Sequence, residues 1–133
     1  MEKRYPPDDP REWLARAHLN LSLARQRELG GHRLDELAFE AQQAAEKAVK
    51  AVFLSLGHSF PYTHNIRELL ELLERKKCPV PEPVWEAHKL TEYATSGRYP
   101  GGIEAVTPKE YEEAIRLAER VVDWAEKTCR KSK

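Results

Sequence analysis

The chain has 133 residues and a mass of 15.4 kDa, enough for one domain around one core. Hydrophobic residues make up 41% and charged residues 33%, a composition that excludes a disordered chain. Lys plus Arg and Asp plus Glu both number 22, and this balance argues against a general nucleic-acid coat or a membrane-surface protein while leaving room for a local basic patch. No apolar run approaches the ~18 residues of a transmembrane helix. The charged, Pro-rich start Met1-Glu2-Lys3-Arg4-Tyr5-Pro6-Pro7 is unlike a secretory h-region. Cys78 and Cys129 are far apart and form no Cys-x-x-Cys, so they read as reduced thiols of a cytoplasmic protein. Asparagine is scarce and Glu and Arg abundant, a mild thermophile-like bias.

All nine Pro and six Gly fall into five clusters, leaving uninterrupted stretches at roughly 11–29, 32–56, 62–78, 84–96 and 109–133. Leu and Ala number 15 each against seven Val and three Ile, which favours helix, and no stretch alternates as a strand would. The chain is therefore expected to be all-α: an up-and-down antiparallel bundle of about five helices forming a single domain over 1–133, one helix being a shorter accessory.

The first helix can stop at Gly30-Gly31. The second can start at Asp35 and stop at Gly57. Within it Ala41, Ala45, Ala48, Val52 and Leu34 share one face, mostly alanine, so neighbouring backbones can approach closely. Opposite lie Glu46, Lys50, Gln43 and Lys47, with Glu46→Lys50 a favourable i,i+4 pair. Phe39 and Phe53 also fall on that polar side and need burial by another helix or another subunit. They are the candidate oligomer-interface residues, and a homo-oligomer is expected. Thr63 is the expected cap of the third helix. Thr107-Pro108-Lys109-Glu110 is a capping box with Pro at the first helical position, which opens the last helix. Lys127, Arg130, Lys131 and Lys133 oppose that helix's dipole at its C-terminal end.

Catalytic and metal motifs are sparse. None of the five histidines has Glu three residues before it, so Glu-x-x-His and His-Glu-x-x-His are both absent, and no metal or other cofactor is expected. Gly-x-x-x-x-Gly-Lys, Gly-x-Gly-x-x-Gly and Gly-x-Ser-x-Gly are absent too. His64, near a helix start, can bind a phosphate beside free backbone N–H groups or can fix the corner between helices two and three. Arg98 and Tyr99, between Gly97 and Pro100, offer a bidentate donor and an aromatic face suited to a phosphate and a base. Arg98 fits a helix C-terminal cap equally well. The nucleotide- or anion-binding candidates are thus His64, Arg98 and Tyr99, with Lys47 and Lys50 within long reach on helix two. Lys47 and Lys50 also fit a plain solvated face.

The succession Ala41-Gln42-Gln43-Ala44-Ala45-Glu46-Lys47-Ala48, Tyr62-Thr63-His64, Arg98-Tyr99-Pro100 and the final capped helix resembles the HEPN family over about residues 10–128. The resemblance implies a helical bundle, commonly dimeric, that binds a nucleotide or a partner minimal nucleotidyltransferase. It also implies an alternative, a metal-independent ribonuclease toxin of a toxin–antitoxin pair that uses Arg-x4–6-His. A plain oligomeric interaction module is a third reading. Counting from Arg98, that motif's histidine would fall at Ile103, Glu104 or Ala105, and none is histidine. Arg27 with His32 and Arg11 with His18 match only literally, outside the family's active-site position. No catalytic residue is therefore assigned.

Overall fold

Helix starts and stops explain most of the architecture. The computed structural model describes residues 4–26, 34–94 and 106–131, and among them there are helices and no strand. In order these are α1 (Pro10–Ala24), α2 (Leu34–Ser55), α3 (Ile66–Arg75), α4 (Glu82–Trp85), a 3₁₀ stretch (Glu86–Tyr93) that prolongs α4, and α5 (Pro108–Lys131). The fold is all-α, as the breaker pattern predicts. Among the described residues no helix is long and apolar enough to cross a membrane.

Asp9 caps α1 by accepting the Arg11 N–H, with Pro10 at the first helical position. The α2 helix ends in a Schellman arrangement: Gly57 takes φ +80°, and the N–H groups of His58 and Gly57 donate to Phe53 and Leu54 carbonyls. The α3 helix ends the same way at Lys77, a non-glycine residue at φ 69°. The capping box of α5 is formed as expected, Thr107 and Glu110 exchanging hydrogen bonds of 2.9 and 3.1 Å.

Four local expectations change. Asn65, not Thr63, caps α3 by accepting the Glu68 N–H, while the Thr63 hydroxyl accepts the Asn65 N–H one step earlier. Asp35 sits inside the first turn of α2. The fourth segment, expected as a shorter accessory helix, is one α-turn that tightens into 3₁₀ geometry. The first helix stops at Ala24 with Arg25 as its C-cap, short of the expected Gly30-Gly31 stop, and those two glycines lie outside the described residues.

The α2 helix is central, packed against α1 and α5, with α3 and the 3₁₀ stretch also against it. Asn20 meets Glu40 and Lys47 while Trp13 lies beside Lys50, so α1 and α2 are antiparallel. His18 meets Glu126 and Arg25 meets Glu119, so α5 is antiparallel to α1 and runs the same way as α2. Ala41, Ala45, Ala48 and Val52 are fully buried, as the alanine stripe predicts, and Tyr111, Ala114, Leu117, Ala118, Val121, Val122 and Ala125 supply the facing stripe of α5.

Phe53 is corrected outright. It is fully buried in the chain's own core and offers no surface to a second copy. The polar side on which it lies is itself covered, so another part of the same chain supplies the burial. Phe39 is half-buried.

Candidate functional site

The covered polar side of α2 is where the chemistry concentrates. Gln42, Glu46 and Lys50 lie one turn apart on one face, and all three are buried. Glu46 is their centre. Its carboxylate accepts from Gln42 Nε2 at 2.8 Å, from Lys50 Nζ at 2.6 Å and from His64 Nδ1 at 3.0 Å. The solvated role weighed for Lys50 does not hold, because its ammonium is tied to Glu46 and lies 5.1 and 5.9 Å from the ring centroids of Phe60 and Trp13. Those rings meet edge to face at 5.1 Å, and the Trp13 indole N–H donates to the Pro7 carbonyl at 2.7 Å.

Burial pushes the Glu46 carboxyl upward, but the hydrogen bonds from Lys50, Gln42 and His64 outweigh it, and the group stays below the usual carboxylate range. The buried carboxylate is thus paired and hydrogen-bonded from three side chains, the condition under which a buried charge is tolerated.

His64 links this network to solvent. Its side chain is 60% exposed, whereas the Glu46 side chain is 4% exposed. An ionised carboxylate only accepts, so the ring's Nδ1–H donates to it and Nε2 remains on the outer side. Tyr62, 96% exposed, stands beside it with ring centroids 6.4 Å apart and planes at 73°. The Ile66 N–H, at the start of α3, donates to Thr91 Oγ1 at 3.1 Å. The start of α3 and the end of the 3₁₀ stretch therefore meet at one corner, with His64 beside it.

The five binding candidates separate. His64 and Lys50 join through Glu46. Lys47 turns to the α1 side, where its Nζ donates to Asn20 Oδ1 at 2.8 Å. Arg98 and Tyr99 lie outside the described residues, as do Arg27 and His32. Arg11 is engaged with Asp9 at 2.7 Å and His18 with Glu126, so their literal Arg…His spacing brings no pair together. Among the described residues no three His, Cys, Asp or Glu side chains gather as metal ligands would. Cys78 and Cys129 are free and buried, and burial raises both thiols above their ordinary value.

Sequence reasoning missed Gln42, Tyr62 and the aromatic pair around Lys50. The i,i+4,i+8 spacing of Gln42, Glu46 and Lys50 beside two misplaced phenylalanines was the available signal.

Comparison with known proteins agrees with this architecture. The HEPN domain family model matches residues 10–128. A solved structure of TT1696 from Thermus thermophilus is 36% identical, with 90% of this chain and 97% of that one covered at a TM-score of 0.77. The structure of ST0689, described as an archaeal HEPN homologue, is 25% identical over 96% and 99% of the two chains, with a TM-score of 0.69. An HEPN domain protein from Thermotoga maritima is 28% identical over 90% and 92%, with a TM-score of 0.53. No curated protein matches. A family match over nearly the whole length, on a fold shared with such relatives, shows that this chain belongs to the HEPN domain family.

Proposed function

We propose that this HEPN domain is a non-catalytic binding module that takes a nucleotide, a partner minimal nucleotidyltransferase, or both, at the His64 corner. The observation that carries the reading is the imidazole whose Nδ1 is held by buried Glu46 while its outer face stands beside exposed Tyr62. A carboxylate behind a histidine fixes the ring's orientation and presents its outer edge to a ligand beside the exposed Tyr62 ring. Arg98 and Tyr99 follow the 3₁₀ stretch in sequence and belong to the same proposal, as does assembly into a homo-oligomer with Phe39 as the remaining interface candidate.

The test is a calorimetric titration of the protein with nucleoside triphosphates, repeated with His64→Ala and Arg98→Ala. Binding by the wild type that weakens in both variants supports the reading, and no binding by any of the three discards its nucleotide. Sedimentation at micromolar concentration tests the assembly, and a purely monomeric profile removes it.

A ribonuclease is the second reading, favoured by the same Glu46–His64 geometry, since a carboxylate-held imidazole is a common general acid or base. The missing histidine after Arg98 leads us to expect no metal-independent cleavage of RNA above background. Robust cleavage that His64→Ala abolishes would put this reading first.

A further inference from the structure

A second cleft lies where the first turns of α1 meet the last turns of α2 and α5, and it shares no residue with the His64 network. Its volume is about 160 Å³ and its walls are mostly apolar atoms, Leu14 among them. An apolar cavity of about 150 Å³ holds one benzene ring, so the space here suits one ring or one short branched chain. The polar groups of the inner wall are already satisfied. The Ser55 hydroxyl donates to the Val52 carbonyl at 2.8 Å and also engages the Cys129 thiol, which burial keeps neutral. Nothing inside therefore asks an occupant for a hydrogen bond or a charge.

Charge gathers instead at the mouth, on Arg11, Glu126 and Arg130. Arg11 is paired with Asp9 at 2.7 Å, and Glu126 with His18. Arg130 is exposed, and among the described residues no carboxylate stands within ion-pair distance of it. An apolar interior with one unmatched guanidinium at its edge calls for a molecule with an apolar body and one anionic end. We propose that this cleft binds a small apolar monocarboxylate, its hydrocarbon part against Leu14 and Cys129 and its carboxylate on the Arg130 guanidinium. The planar fork of Arg130 matches a carboxylate through two parallel N–H donors and so fixes the ligand's orientation. Glu126 at the same mouth disfavours a second negative charge, which restricts the class to monoanions.

The experiment is a backbone NMR titration of the full chain with phenylacetate and, separately, with phenylacetamide, its neutral counterpart. Phenylacetate should give saturable shifts centred on residues 10–14, 55 and 126–130, with a Kd of about 1 mM or tighter. The amide should bind about fivefold more weakly or worse, because it lacks the charge that Arg130 meets. Arg130→Gln, a change at an exposed position, should weaken phenylacetate by about fivefold or more and leave the amide unchanged. Shifts that do not saturate by about 20 mM, or that centre outside the cleft, overturn the proposal. Equal binding of acid and amide, or indifference of the acid to Arg130→Gln, overturns it as well.

Discussion

One side of α2 carries Ala41, Ala45, Ala48 and Val52, and the other carries Gln42, Glu46 and Lys50, yet both are buried. The alanine side works by shape, since small side chains let neighbouring helices approach and each position tolerates only a narrow volume. The polar side works by partner count, since Glu46 satisfies two residues of its own helix and a third eighteen positions away. Burial alone thus says little about what a position requires. An error on the alanine side creates crowding or a void, whereas an error on the polar side strands a charge.

The largest expected effect follows from stranding Lys50. Glu46→Ala should destabilise the domain by about 3–5 kcal/mol, the usual penalty for removing one member of a buried pair. Urea denaturation measures it, and the double variant Glu46→Leu/Lys50→Leu should recover much of the loss. A single-variant loss under about 1 kcal/mol would mean the pair is effectively solvated. Ala45→Leu tests the other side and should cost about 1–3 kcal/mol through overpacking. An unchanged melting curve would show that the stripe has room to spare.

Acid distinguishes the two sides without mutation. The folded Glu46 carboxyl lies below its ordinary value of 4.5, so its contribution is fully present above that pH and is lost as pH falls through the folded value. Stability measured from pH 6 downward should decline below about 4.5, and Glu46→Gln should flatten that limb while Ala45→Leu only lowers the whole curve.

Lys77→Gly is the smallest change, and it lies away from either face. A lysine at φ 69° bears a steric cost that glycine lacks, so the substitution should stabilise by roughly 1 kcal/mol, visible as a raised midpoint in urea.

Much of this fold was legible because its punctuation is local. Thr107-Pro108 and Glu110, Gly57 and the alanine spacing each act within a turn or two of the chain, and each appears where pattern reading puts it. Thr63 and Asn65 show where that logic becomes ambiguous, because two capping residues stand two apart and both engage, one relaying to the other. The polar side of α2 was illegible for a different reason. Helical periodicity assigns polar residues to solvent, and it carries no information about a cover supplied by Trp13, Phe60 and His64 from elsewhere in the chain. Phe53 was misplaced by the same reasoning. At the candidate site His64 was visible as a helix-start histidine, but its partner Glu46 was not, because that contact joins two elements across a loop.

The Tyr111 hydroxyl donates to the Ala24 carbonyl at 2.6 Å, a buried bond between residues 87 apart. It satisfies a carbonyl at the end of α1 with a side chain from the first turns of α5. During synthesis α1 emerges before α5, so that carbonyl waits for its partner until Tyr111 has left the ribosome. A chain truncated before Tyr111 should therefore leave the C-terminal end of α1 frayed, while α2, against which α1 mainly packs, still holds the rest of that helix.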